Sequence, residues 1–353
     1  MNQFDMMIAG LKNTSDPIVI YGAKLRAEKI KSFLSGYGIT VSGYIVDKAY
    51  YTEGMTFDGV SVYAAEDYLE SHRCSVVVAF KGLSVKREND LRTNRNVTDL
   101  WLHDFLGRFS IEGDNLITAE YYDKNRALFE ETREMLSEGS SREAFDDFIN
   151  QRITGAYRKN YSSNPQYFDE DVVKFDEDEV LVDCGAYNGD SALAFIEALG
   201  KQGVKGCRRI YAFEADGKNV EAMEKNLSAY DNIEIVGKGV WDSVTELRFS
   251  NSGSTSSSFS DDGVVIPVTT IDEVCAGQEV TFIKMDIEGS ELKALRGAEN
   301  TIRRCRPKLA VCVYHRKEDL ITIPQYIRSL NPDYRFEFRN YSSDSLESVL
   351  YAL

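Results

Sequence analysis

Long apolar runs are missing from this chain of 353 residues. None approaches the roughly 18 to 20 residues that cross a bilayer, so no membrane span is expected. Met1 to Leu11 holds only a broken apolar run with Asp5 inside it, which does not read as a secretory signal and points to the cytoplasm. Cysteine is sparse. The six residues (74, 184, 207, 275, 305, 312) include no C-x-x-C pair, so structural zinc is not expected. Cys184 and Cys312 sit within apolar strand patterns, where a thiol packs as a small core residue. Positive charge is also short: 41 Lys and Arg against 57 Asp and Glu leave a net charge of −16 with histidine neutral. A surface that repels a polyanion gains little from it, so broad nucleic-acid binding is not expected, although a local basic site is compatible with this balance. No internal repeat is present, and no pattern specifies an oligomer. The one low-complexity patch, Ser250 to Ser260, reads as a mobile loop.

What is present is ordinary for a folded α/β protein: 43% apolar and 28% charged residues. The length allows two domains, each with its own core. In residues 1–105, strand patterns at 18–22, 41–47 and 76–80 alternate with helical ones at 25–34 and 64–71, which suggests a small parallel sheet. Residues 106–170 read as a helical connector, with helical spacing over 125–137 and 142–153. Residues 171–353 read as a second α/β domain with strands at 180–184, 209–213, 233–237, 280–285, 308–314, 334–338 and 347–352.

The most informative stretch runs from Val180 to Asp190. An apolar strand ends in Asp183, and a turn holding Ala186 and Tyr187 between Gly185 and Gly189 opens a helix. Such a turn presents backbone N–H groups at the carboxyl end of a strand to a small polar cofactor. It lacks the G-x-G-x-x-G of a dinucleotide site, which favours S-adenosylmethionine, a donor with an amino-acid end and no pyrophosphate. The next strand ends in Glu214 followed by Ala215; this carboxylate reads as a ribose acceptor or as an acid at a helix N-terminus. At Val240, Trp241 and Asp242, an apolar pair precedes an acid, which suits either an adenine with Asp242 taking its amine or a core tryptophan beside a solvated turn. Phe282 to Glu291 crowds Lys284, Asp286 and Glu288 at another strand end, which is costly unless something uses them. Helix capping accounts for Glu288 and Glu291 but not for Lys284 or Asp286. His315, one of only three histidines, follows the strand pattern ending at Tyr314 and suits proton handling.

Residues 182–190, 212–215, 283–291, 313–320 and 348–352 resemble the FkbM family of S-adenosylmethionine-dependent methyltransferases. The resemblance covers about half the chain. It implies a Rossmann-like seven-stranded sheet, mostly parallel with one antiparallel strand, and methyl transfer to a hydroxyl of a sugar or natural product. It also implies that Asp183, Gly185 and Gly189 hold the methionine end, Glu214 the ribose and Asp242 the adenine, while Lys284, Asp286, Glu288 and His315 face a small-molecule or sugar acceptor. The general base is then Asp286 or His315. A metal is not expected, because Lys284 would oppose a cation beside Asp286, Glu288 and His315.

The first region looks like the small Rossmann-like domain that often precedes such domains in bacterial surface-sugar enzymes. After Gly22, however, the second and third glycines of a dinucleotide turn are missing. Lys24 or Arg26 could contact the phosphate of a nucleotide or nucleotide-sugar and Asp47 a ribose; packing or partner docking is the competing role. A nicotinamide-dependent oxidoreductase using this domain, and a non-catalytic binding protein, are the alternative functions.

Overall fold

The computed structural model describes residues 3–80, 83, 85–102, 117–137, 139–250, 258–259, 264–343 and 346–353. Short runs of β-branched and aromatic residues set the first sheet. Its strands are Ile18–Tyr21 (β1), Gly43–Val46 (β2), Thr56–Phe57 (β3), Val60–Ala64 (β4), Cys74–Val78 (β5) and Val97–Trp101 (β6), in the order β3-β4-β2-β1-β5-β6. All neighbours pair in parallel except β3 on β4. Side chains alternate between two cores, as the strand period of two requires. Ile20 and Tyr44 face helices Gln3–Asn13 and Leu25–Gly36, while Val19, Tyr21 and Ile45 face helices Ala65–Ser71 and Val85–Thr93.

Two features here exceed the sequence reading. Met7, Ile8 and Leu11 are buried on one face of helix Gln3–Asn13, so the broken N-terminal run is a helical stripe. The sheet is also wider than the alternation suggested, because β3, β4 and β6 add to it.

The chain divides into two compact units, Met1–Leu116 with Ile149–Arg158, and Ile117–Phe148 with Lys159–Leu353. Between the two sheets in sequence lie helices Ala119–Lys124, Arg126–Met135 and Ser140–Thr154.

The strands of the second unit are Val180–Cys184 (β7), Arg209–Phe213 (β8), Ile233–Val236 (β9), Gly239–Val240 (β10), Thr245–Ser250 (β11), Ser258–Phe259 (β12), Val264–Thr269 (β13), Phe282–Met285 (β14), Lys308–Cys312 (β15), Phe336–Asn340 (β16) and Ser348–Ala352 (β17). Seven of them form one sheet in the order β16-β17-β15-β14-β7-β8-β9. β17 runs antiparallel to both neighbours and the other pairs are parallel, so one strand is reversed, as expected. The remaining strands form a second sheet, β10-β13-β11-β12, that sequence reading did not anticipate. The Ser250 to Ser260 loop lies largely outside the described residues.

After β14 come two short helices, Glu291–Arg296 and Glu299–Cys305. They break at Gly297, where a Cβ would lie 2.0 Å from the Trp241 carbonyl oxygen, so the backbone of the Trp241 loop takes the space of a side chain.

Under β14, Phe282 packs with Phe168, Phe175 and Phe195; the Phe175 and Phe282 centroids are 5.5 Å apart and tilted at 65°. Aromatic burial on this scale dominates core energetics. Phe282→Ala should therefore destabilise the second unit by about 3–5 kcal/mol. A lower urea midpoint followed by circular dichroism would show it.

Candidate functional site

The site is built where β7 and β14 run side by side with Asp183 directly opposite Lys284. Both side chains are buried, 0% and 3% exposed, and Lys284 Nζ lies 3.0 Å from Asp183 Oδ1. The Ser191 hydroxyl donates to the other Asp183 oxygen, and Lys284 Nζ donates to the Gly185 carbonyl at 2.7 Å. Burial works to discharge Lys284, but the carboxylates of Asp183 and Asp286 outweigh it and raise its pKa above the usual lysine value. Both Asp183 oxygens thus have partners within the sheet, and the Lys284 ammonium lies against the end of β7.

The turn after β7 needs positive φ at Gly185 (78°), Tyr187 (47°) and Gly189 (87°). At Gly185 a Cβ would lie 2.0 Å from the Asp286 carbonyl oxygen, so glycine lets the turns after β7 and β14 touch. Five N–H groups of this turn are engaged within the fold. Gly185 and Ala186 donate to the Phe213 carbonyl, at 3.0 and 2.9 Å. Gly189 donates to the Ala186 carbonyl, Asp190 to the Asn188 side chain and Tyr187 to Glu214 Oε2. These bonds tie the end of β7 to the end of β8.

Glu214 accepts from Tyr187 N–H at 3.0 Å and from Asp216 N–H at 2.8 Å. Burial raises its pKa against the pull of those donors. Helix Gly217–Asn226 is capped by Asp216, whose side chain accepts from Lys218 and Asn219, so Glu214 is not its cap. Ala215 and Val240 lie beside Gly239, within reach of a Cβ there or on its strand. Asp242 is paired: Lys293 Nζ lies at 2.7 Å and the Ser243 hydroxyl at 3.2 Å, with the ammonium 5.3 Å from the Trp241 ring centroid. Lys293 lowers the Asp242 pKa. An adenine amine would therefore compete with groups already on this carboxylate.

Asp286, Glu288 and His315 do come together. Asp286 accepts from the Tyr167 hydroxyl at 2.7 Å and from Tyr314 at 3.3 Å. His315 Nε2 lies 3.5 Å from both Asp286 Oδ1 and Glu288 Oε2. His315 Nδ1 lies 3.0 Å from Glu291 Oε1, and Glu291 is wholly buried. The same oxygen accepts from the N–H groups of Ile287 (3.0 Å) and Gly289 (3.4 Å), closing the turn that carries Glu288 at φ 56°. Non-glycine residues in this region of φ are strained, and such strain gathers at functional turns.

The electrostatics follow from this crowding. Burial works against a charged His315, but Glu291, Asp286 and Glu288 prevail and push its pKa up to about 10. Partial enclosure raises Glu288 to about 7, with His315 opposing and Asp286 adding. Burial opposes the charge on Asp286, but His315, Lys284 and the Tyr167 hydroxyl hold its pKa below the ordinary value. Asp286, Glu291 and His315 each place one oxygen or nitrogen within 4.8 Å of the others. The two ring nitrogens, however, face different carboxylates, so the imidazole bridges acids instead of gathering them around one point. That arrangement calls for a proton on each nitrogen.

Sequence reasoning missed Tyr167, Tyr314 and Ser191 and read Glu291 only as a helix-dipole acid. Tyr314 adjoins His315 and was within reach of that reading. Tyr167 comes from an irregular segment before β7 and gave no local signal.

In the first unit, one Asp47 oxygen is already shared. The Tyr21 hydroxyl donates to it, and Arg87 lies 3.0 Å from the same oxygen. Lys24 is exposed and begins helix Leu25–Gly36 without a side-chain cap.

The seven-stranded sheet with one reversed strand, and the turns joined at the carboxyl ends of β7, β8 and β14, have the Rossmann-like methyltransferase fold. Residues 183–338 match the family model described as the methyltransferase FkbM domain. The fold is similar to the crystal structure of a methyltransferase FkbM from Methylobacillus flagellatus KT, at 22% identity and TM-score 0.73, over 98% of this chain and 92% of that one. An rRNA methylase from Streptococcus thermophilus is 16% identical with TM-score 0.33, over 50% of this chain and 86% of its own. Aeropyrum pernix fibrillarin, in complex with natively bound S-adenosyl-L-methionine, is 14% identical with TM-score 0.30, over 50% and 67%. No curated protein matches the chain. Among the described residues, no helix is long and apolar enough to cross a membrane.

Removing one member of a buried ion pair strands the other. Lys284→Met should cost about 3–5 kcal/mol, and adding Asp183→Asn should recover part of that loss. Urea denaturation of the two variants is the check. A pH dependence follows from His315. Its folded pKa of about 10 lies above the unfolded value, so its contribution is whole at low pH and is lost as pH rises through that range. The urea midpoint should fall between about pH 7 and 10, and His315→Gln should flatten the decline.

Proposed function

We propose that the second unit transfers a methyl group from S-adenosylmethionine to a hydroxyl of a sugar or natural product. The observation that carries this reading is the acid-rich carboxyl edge of the sheet. Glu214 ends β8, and Asp286 and Glu288 follow β14, with the β7 turn pressed against Asp286. A dinucleotide pyrophosphate wants free N–H groups or cations. Here the N–H groups of Gly185, Ala186, Tyr187 and Gly189 are spent within the fold and Lys284 is turned to Asp183. S-adenosylmethionine carries a sulfonium and an ammonium, and carboxylates are the complement of both. When bound, it supplies a methyl carbon already activated toward an attacking oxygen by the positive sulfur.

The chain then has three tasks. Glu214 holds the ribose hydroxyls, and the β7 turn, stiffened by the Asp183–Lys284 pair, seats the amino-acid end. Gly239 to Asp242 flanks the adenine, with Asp242 exchanging Lys293 for the base. Asp286, Glu288 and His315 face the acceptor and align its oxygen, and a carboxylate of this group receives its proton. Alignment supplies most of the rate advantage in such a displacement, and negative charge near a cationic donor adds to it. The FkbM family supports a hydroxyl acceptor on a sugar or natural product.

Calorimetric titration with S-adenosylhomocysteine tests the reading. The wild type should bind, and Glu214→Ala should bind about 10- to 100-fold more weakly, the worth of a hydrogen bond to a charged group. No binding, or equal binding by both proteins, would overturn it. Product formation from S-adenosylmethionine in the presence of simple sugars and nucleotide-sugars tests the acceptor class.

A further inference from the structure

Three carboxylates meet around one imidazole in the second unit, and their differences in burial give them a direction. Glu291 is wholly buried and makes three contacts through a single oxygen: the N–H groups of Ile287 and Gly289, and His315 Nδ1. The imidazole is 10% exposed and turns its other nitrogen to Asp286 and Glu288. Asp286 is occupied by two tyrosine hydroxyls. Glu288 has the most open side chain of the set, at 37%, and sits on the strained residue of its turn.

We propose that Glu291 is a positioning residue that locks His315 as an imidazolium, and that Glu288, not His315 or Asp286, takes the proton of the acceptor hydroxyl. This assignment deepens the methyltransferase reading and rests on it. The balance is simple. The acceptor oxygen gains a bond to the methyl carbon and loses its bond to hydrogen; the carbon–sulfur pair stays on sulfur. The proton passes to Glu288 Oε2 and leaves from there to solvent. A histidine held between carboxylates keeps its own proton and is a poor base, whereas a carboxylate whose pKa lies near the working pH is a good one. Partial burial pushes the Glu288 pKa up to about 7, with His315 opposing and Asp286, Glu291 and Glu347 adding. Arg316 lies over the adjacent Gly289, where a Cβ would be 2.8 Å from its Nε. His315 is faced by Glu291, Asp286 and Glu288, with buried Asp319 also near it.

With only three histidines in the chain, isotope-labelled imidazole resonances are few enough to assign by variants, and NMR reads tautomer and charge directly. In the intact protein, His315 should stay doubly protonated far above the ordinary histidine value of about 6.5. Its Nε2 shift should show a small inflection near pH 7 as Glu288 ionises. Glu288→Gln should abolish that inflection, and Glu291→Gln should lower the His315 pKa by at least about one unit. A wild-type His315 that is neutral at neutral pH would overturn the proposal without any variant having to fold. So would an inflection that survives Glu288→Gln, or a His315 titration unmoved in a folded Glu291→Gln. Where a sugar supports turnover, Glu288→Gln should lower kcat by about 10²- to 10⁴-fold, with S-adenosylhomocysteine binding retained. Loss of that binding in the wild type would instead defeat the methyltransferase reading while leaving the imidazole result standing.

Discussion

The pairing of Asp183 with Lys284 is the constraint on which the rest of the second unit depends. Two charges leave water here, and the cost of that is several kcal/mol per ion before any attraction is counted. The pair survives because the geometry is closed: Ser191 satisfies the second carboxylate oxygen, and the Gly185 carbonyl takes another ammonium proton. A hydrophobic pair could hold β7 beside β14 as firmly. It could not hold the carbonyl of Gly185, and through it the turn that follows. The ion pair thus fixes the start of the turn after β7, and Gly185, lacking a Cβ, lets that turn press against Asp286.

From that contact the chemistry of the edge follows. Lys284 is bonded to Asp183, and among the acids beyond β14 its charge acts on Asp286. Those acids are Asp286, Glu288 and Glu291, and within about hydrogen-bonding reach they share one imidazole. The imidazole is charged because three carboxylates surround it, and Glu288 keeps a pKa near neutrality because partial burial raises it against the pull of His315. Tyrosine hydroxyls stabilise Asp286, and backbone N–H groups stabilise Glu291. Local differences in hydrogen bonding thus separate three chemically similar acids into an anchor, an orienting group and a proton acceptor.

Much of this fold was legible because strand ends announce themselves. The apolar runs at 180–184 and 209–213 matched β7 and β8, and the acids closing them were visible as charges a sheet edge would not hold for nothing. What side chains do there was less legible. Strand pairing sets which residue faces which, and nothing near Lys284 in sequence shows that Asp183 lies opposite it. Glu291 was seen at its correct place, the first residue of helix Glu291–Arg296. Its side chain, however, turns back to its own preceding loop and to a strand that follows later in the chain. Tyr167 reaches Asp286 from a segment without periodicity, which no local pattern reveals. The second sheet was hidden for the opposite reason: Ser- and Gly-rich composition suggested a loop in a region flanked by β11 and β13, whose pairing is long-range and antiparallel.

The two sheets show how one architectural rule yields different chemistry. In open parallel sheets, ligands bind beyond the carboxyl ends of the strands, and both units place charged residues there. In the first, Tyr21 at the end of β1 donates to Asp47 beyond β2, and Arg87 bridges Asp47 and Glu66. Two acids, one guanidinium and a phenol largely satisfy one another, and the missing glycines after Gly22 leave no close backbone approach in exchange. In the second, one strand-end acid is neutralised inside the sheet while three others converge on a single base. Of the two sheets, it is the second that keeps a surplus of negative charge at this edge.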